Sequence, residues 1–276
     1  MRITRDDDCL TIAPNEGDHS ASIILMHGLG DTCDGWSDVA EQLAHEMKHI
    51  KFILPTAKSI PVTMNGGYRM PAWYDIQGLD ERANEFCEGL SDSRARIEAI
   101  MEKENQLGVN YNRIILAGFS QGGALALSTG LQLPIEKKVA GLVVFSGYLP
   151  GIKSFNFVSG NENLPVLHCH GTSDNVVQYN NAEKTKGHLV SLGMNNYVLN
   201  PHAGLQHSIN EKVLDQAREF ISKHLPHDAT LNIPPKDPST MSVKELKIAV
   251  RDRGLASKAV GFTEKSEFVA LLKEHM

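Results

Sequence analysis

The chain contains no apolar run approaching the roughly 18 residues that a bilayer-spanning helix requires. Its start, MRITRDDDCL, is too acidic and too polar for a secretory signal or a transit peptide. These two absences predict a soluble, cytoplasmic protein. Cysteine is sparse as well: Cys9, Cys33, Cys87 and Cys169 show no C-x-x-C spacing, which argues against a zinc site and a disulfide framework. Reduced thiols are expected, with Cys169 buried in an apolar run. An excess of positive charge is also missing. The net charge of −6 speaks against a main body built to bind nucleic acid. No internal repeat is present.

What the 276 residues do contain is 41% hydrophobic and 22% charged side chains, the balance of a globular protein with a sizeable core. Short apolar runs recur: ASIILMHG, HIKFILPTA, NRIILAGFS, KVAGLVVFSG, LPVLHCHG and NNYVLNPH. Helical patterns separate them, among them WSDVAEQLAHEM, SDSRARIEAIMEKENQLG, GGALALSTGLQL, YNNAEKTKGHLVSLG and SINEKVLDQAREFISKHL. Strands alternating with helices predict an α/β protein with a mostly parallel sheet covered on both faces. Ser208 is the expected cap of the last of these helices. After it, residues 226 to 240 hold four prolines and no periodicity, which reads as a linker. Residues 241 to 276 then show two short amphipathic helical patterns around a Gly-containing loop. The predicted organisation is therefore a domain over 1–225, a linker over 226–240 and a small helical module over 241–276.

One junction carries chemistry. Gly118-Phe119-Ser120-Gln121-Gly122 fits G-x-S-x-G between an apolar strand and a helix. In that setting small flanking residues permit a sharp turn that exposes the serine hydroxyl. Such a serine needs a base oriented by a carboxylate, supplied in the chain order Ser, Asp, His. Asp174 follows the strand pattern LPVLHCHG, and His207 precedes the last helix pattern. His202, five residues earlier, is an alternative base. Asp75 and Asp80 precede the serine and break the order. His168 and His170 share one face of a strand like metal ligands, but no third ligand has suitable spacing, so a structural role is expected. Two N–H donors must face the developing oxyanion. Gln121, after the nucleophile, should give one, and Leu29 in the His-Gly-Leu-Gly turn should give the other.

HGLGDT, PVTMNGGYRMPAWYDI, GFSQGGALAL, the HG-x-x-D at 170 to 174 and the QHS at 206 to 208 together resemble the acyl-protein thioesterase and lysophospholipase family. The resemblance runs from about residue 20 to about residue 225. It implies the α/β-hydrolase fold, Ser120, Asp174 and His207 as catalytic triad, and Leu29 and Gln121 as oxyanion donors. It further implies S-acylated proteins or lysophospholipids as substrates and an acyl channel to which Trp73, Ile76 and Leu79 correspond. No metal or organic cofactor is called for. Some family members carry a lipidated cysteine at their second position; here that residue is Arg2, and Cys9 follows three aspartates that an anionic leaflet repels, so only transient membrane-surface contact is expected. The tail, in S-V-K-E-L-K, R-G and E-K-S-E-F, resembles a SAP-like module. Its seven Lys/Arg against five Asp/Glu, a net of +2, are thin for phosphate binding, so a protein-docking role is expected over a nucleic-acid one.

Overall fold

The computed structural model describes residues 1–6, 8–15, 17–79, 85 and 87–275. The chain divides into two compact units, residues 1–233 save Arg2, and residues 234–276 together with Arg2.

The first unit is built on an eight-stranded sheet. Its elements in chain order are β1 (Arg2–Asp6), β2 (Cys9–Ala13), β3 (Ala21–Met26), α1 (Ser37–Glu46), β4 (Ile50–Pro55), β5 (Ser59–Val62), β6 (Tyr68–Pro71), α2 (Leu90–Gln106), β7 (Ile114–Phe119), α3 (Gln121–Leu131), β8 (Gly141–Phe145), β9 (Val166–Gly171), α4 (Tyr179–Ser191), β10 (Tyr197–His202) and α5 (Glu211–His224). The sheet order is β1-β2-β4-β3-β7-β8-β9-β10, with β5 and β6 forming a separate antiparallel pair. From β4 to β10 every neighbouring pair is parallel, whereas β2 runs antiparallel to β4.

The strand side chains divide by parity, because successive residues point to opposite faces of a sheet. Ile24, Met26, Ile114, Leu116, Leu142, Val144 and Val166 join one core with residues of α2, α3 and α4. Ile23, Leu25, Ile115, Ala117, Val143, Phe145, Leu167 and Cys169 join the other with α1 and α5. Both faces are thus covered, as the Ile/Val/Leu-rich strand centres require. Every residue of α3 is buried, which fits its apolar composition on all sides. Burial pushes the Cys169 thiol up to about 12, so it stays protonated.

Three local features differ from the sequence reading. β1 and β2 were not anticipated: β1 is exposed along its whole length and so has no apolar alternation to read. The N-cap of α5 is Asn210, whose side chain accepts from the Val213 N–H, and not Ser208. Asn210 has the extended backbone a cap needs, while Ser208 still belongs to the loop bearing His207. The stretch read as linker is partly anchored: the Ile233 N–H donates to the His19 carbonyl and Arg113 donates to the Pro226 carbonyl, both within the first unit.

In the second unit, α6 (Val243–Asp252) and α7 (Lys265–Glu274) enclose a small core of Met241, Leu246, Val250, Leu255, Phe268, Leu271 and Leu272. Ser242 and Glu245 form a reciprocal capping box at the start of α6. Among the described residues, no helix is long and apolar enough to cross a membrane.

Candidate active site

Ser120 stands between β7 and α3 with φ 53° and ψ −117°, one of two described non-glycine residues at positive φ. That conformation costs an L-residue of order 1–3 kcal/mol and persists only where the surroundings enforce it. Here the Ser120 N–H donates to the Phe145 carbonyl and its own carbonyl accepts from the Ala124 N–H. The flanking glycines are obligatory for close approach. A Cβ on Gly118 would overlap the Gly122 backbone, and one on Gly122 would overlap the Met26 carbonyl of the neighbouring strand.

Asp174 and His207 meet above β9. The His207 Nδ1 lies 2.7 Å from Asp174 Oδ2, while Asp174 Oδ1 accepts from the Val176 and Val177 N–H groups at 2.9 Å each. The Asp174 side chain is fully buried; that of His207 is partly open to solvent. A loop crossing makes the pairing feasible. The Thr172 N–H donates to the His202 carbonyl, the Ser173 N–H to the Leu205 carbonyl and the Gly204 N–H to Thr172 Oγ1. The crossing needs Gly171, since a Cβ there would overlap the Leu205 carbonyl. The imidazole of His207 rests 4.7 Å, centroid to centroid, from the ring of Phe119, the residue before Ser120. Among the described residues the Ser120 hydroxyl has no hydrogen-bond partner.

The His-Gly-Leu-Gly turn after β3 is pinned on several sides. The Ala57 N–H donates to His27 Nε2, so the ring proton of the neutral imidazole sits on Nδ1 and is given to the Gly28 carbonyl at 2.6 Å. Burial lowers the His27 pKa and keeps it neutral. Trp73 Nε1 donates to the His27 carbonyl, the Gly30 N–H to the Pro71 carbonyl and the Asp31 N–H to the Gly28 carbonyl. Among the described residues the Leu29 N–H is not engaged. The Gln121 N–H is the first of α3 and therefore one of the donors that a helix leaves without an internal acceptor.

The remaining candidates fall elsewhere. His202 is buried at the end of β10 with Nε2 3.1 Å from Gln216 Oε1, so it secures the loop and is not placed to serve as base. Asp75 accepts from the Thr63 N–H and hydroxyl, a local turn fastening. Asp80 lies outside the described residues. Trp73 and Ile76 are enclosed within the core, 2% and 5% exposed, and Leu79 packs half-buried at its edge. Two of the three acyl-channel candidates thus take part in packing, because the Gln121 side chain clamps their segment: its Oε1 accepts from the Trp73 N–H and its Nε2 donates to the Tyr74 carbonyl, both at 2.9 Å. The sequence reading used only the backbone of Gln121. Its amide, and the need for glycine at 171, could have been suspected from the PAWYD and HG-x-x-D segments only with the contacts in hand.

Residues 7–225 match the phospholipase/carboxylesterase family. The chain is 40% identical over 210 residues to acyl-protein thioesterase 1 homolog 1 of Dictyostelium discoideum, covering 75% of this chain and 92% of that protein. It is 36% identical over 228 residues to acyl-protein thioesterase 1 of Neurospora crassa, covering 78% and 91%. Among solved structures, acyl-protein thioesterase 2 of Zea mays superposes with a TM-score of 0.68 at 26% identity, covering 79% of this chain and 98% of that one. Sequence, sheet order and the turn at Ser120 converge: the chain belongs to the phospholipase/carboxylesterase family of α/β-hydrolases and is a serine hydrolase.

Proposed function

We propose that the chain removes long acyl groups from protein cysteines, with Ser120, His207 and Asp174 as nucleophile, base and orienting carboxylate. The observation that carries this reading is the 2.7 Å Asp174–His207 contact beside the strained Ser120 turn. Asp174 holds the Nδ1 proton, leaving Nε2 free to accept from the serine hydroxyl. Serine attack on the thioester carbonyl gives a tetrahedral oxyanion, which the N–H groups of Leu29 and Gln121 stabilise by about 3 kcal/mol each. The cysteine thiolate then departs, leaving an acyl-serine. His207 activates a water to release the fatty acid and regenerate the hydroxyl. No step calls for a metal or an organic cofactor.

With Trp73 and Ile76 withdrawn into the core, Leu79 stays as the apolar contact for the acyl chain, where each buried methylene contributes roughly 0.8 kcal/mol. The second unit, with its capped helices and small core, fits a SAP-like module that docks a protein.

Rates on a palmitoyl-thioester peptide, on lysophosphatidylcholine and on short nitrophenyl esters test the substrate class. The thioester is expected to be turned over fastest. A preference for the lysophospholipid would make the chain a lysophospholipase, and a preference for short esters a general carboxylesterase.

A further inference from the structure

His168 and His170, which the sequence offers as an apparent ligand pair, are both fully buried on the α4 side of β9. They are linked to each other, to Tyr197 at the start of β10, and to Asp174. His170 Nε2 lies 2.7 Å from the Val177 carbonyl and 3.3 Å from Asp174 Oδ2. His168 Nε2 lies 3.2 Å from His170 Nδ1, and His168 Nδ1 lies 2.7 Å from the Tyr197 hydroxyl.

The direction of every proton in this chain follows from its end. A carbonyl oxygen only accepts, so His170 Nε2 must carry the proton it gives to Val177, with Asp174 Oδ2 alongside at 3.3 Å. Both imidazoles are neutral, since burial pushes their pKa values down, that of His168 far down. A neutral His170 protonated at Nε2 has a lone pair at Nδ1, so His168 must donate from its Nε2. That leaves a lone pair on His168 Nδ1, which the Tyr197 hydroxyl fills. Reversing any one bond would strand a buried donor or acceptor, at a cost that buried polar groups avoid.

We propose that Tyr197, His168 and His170 form a one-way series of donors ending on the Asp174 carboxylate, which makes His170 a positioning residue for the acid–base pair. The proposal rests on the reading of Asp174 and His207 as that pair. Asp174 then has all its acceptor capacity directed: Oδ1 toward Val176 and Val177, Oδ2 toward His207 and His170. The carboxylate cannot rotate without breaking bonds on both oxygens. His170 also draws on the oxygen that His207 uses, so a variant without its N–H leaves that oxygen to His207 alone. The groups facing His170 are Asp174, His207, His168 and, edge-on from α4 at 5.9 Å, the ring of Tyr179. With each ring nitrogen committed inside the series, neither histidine keeps a lone pair for a metal.

The native protein tests this without substitution. Nitrogen-15 NMR of the histidine rings should show both His168 and His170 as Nε2–H tautomers, staying neutral while exposed histidines titrate. An Nδ1–H tautomer at either position overturns the proposal. Kinetics give a second readout, the acidic limb of the kcat/KM profile for thioester hydrolysis. His170→Met, which lacks the donor, should move that limb to higher pH by about 0.5 with KM unchanged. His170→Gln, whose amide N–H reaches toward the same oxygens, should bring it back. An unmoved limb in His170→Met, or no recovery in His170→Gln, also overturns it. Should His170→Met fail to fold, Tyr197→Phe should give a smaller displacement in the same direction, and a native profile there counts against the series. Absence of thioester hydrolysis by the native protein would sink the substrate reading instead, while the ring spectra still decide the donor series.

Discussion

Two clusters at opposite ends of the sheet hold the same chemical types: a carboxylate, an imidazole and a serine hydroxyl. At the C-terminal ends of the strands stand Asp174, His207 and Ser120. At the N-terminal ends, Glu104 of α2 meets Ser22 of β3, His19 and Lys51 of β4. Serine, histidine and acid lie together at both ends, yet the second cluster cannot act as a nucleophilic site. In the second the Ser22 hydroxyl gives its proton to Glu104 at 2.6 Å, so its oxygen accepts from His19 Nε2 at 3.0 Å. The imidazole there is a donor to the serine, the reverse of what a general base must be. Lys51, 2.5 Å from Glu104, further neutralises the carboxylate that would otherwise support an imidazolium. Ser120 by contrast sits in a strained turn beside unspent N–H groups. What separates a site from a rivet is the direction of the protons and the donors left unengaged.

The largest expected effect sharpens this contrast. Ser120→Ala should lower kcat for thioester hydrolysis by about 10⁶-fold, the loss that removing an activated serine causes elsewhere, and abolish fluorophosphonate labelling. Ser22→Ala should leave both unchanged and instead cost about 1–3 kcal/mol of stability, because Glu104 and His19 each lose a buried partner. Labelling retained in Ser120→Ala would exchange the roles given to the two ends.

Next in size is a stability effect confined to the other end. Glu104→Gln breaks the Lys51 pair inside a nearly closed pocket and should cost about 3 kcal/mol in urea unfolding. The figure is at the low end for a buried pair because the Lys51 side chain, 17% exposed, can turn partly to water. Specific activity of the folded fraction should not change. At the active end a comparable change acts on rate. Gly171→Ala places a Cβ against the Leu205 carbonyl and displaces the strap that carries His207. Misplacement of about 1 Å is enough to lower kcat about 10²-fold, and steady-state kinetics at saturating thioester checks it.

These contrasts also mark what was legible in the sequence. The β7–Ser120–α3 junction was readable because the motif depends on local backbone sterics: Gly118 and Gly122 are demanded by neighbours a few residues or one strand away. Asp174 and His207 could be placed because strands ending in a chemical residue follow one another in a fixed order. That Trp73 and Ile76 are enclosed in the core was not legible, because burial of an irregular loop is decided by a partner 48 positions away, the Gln121 amide, which leaves no periodic trace. His168 and His170 were seen as a pair, but their purpose depends on Tyr197, brought alongside only by the parallel pairing of β9 and β10. The Ser22–Glu104 rivet was missed for the same reason, its partners lying 82 positions apart. Local sterics and strand order are written along the chain; the direction of a buried hydrogen bond is written only across it.

The smallest expected effect separates the two ends by pH. Burial holds the pKa of His19 at about 4, against 6.5 for the imidazole in an unfolded chain, with Glu104 opposing that shift and Lys51 adding to it. Between those values the unfolded chain binds a proton that the native protein does not, so this contribution to stability is intact above pH 6.5 and is lost as the pH falls toward 4. From pH 6.5 to pH 5 the loss should be about 2 kcal/mol for this one group. His27, His168 and His170 are also held neutral by burial and add their own acid sensitivity, so the His19 share must be read by difference. His19→Gln keeps a donor for Ser22 and removes the titrating ring. Its unfolding free energy, measured in urea at pH 7 and pH 5, should fall less steeply with acid than that of the native chain by that amount, while the pH profile of kcat/KM stays in place. Equal pH slopes for the two proteins would show that His19 takes up its proton in the folded state, and the N-terminal end of the sheet would then be open to protonation instead of a closed rivet.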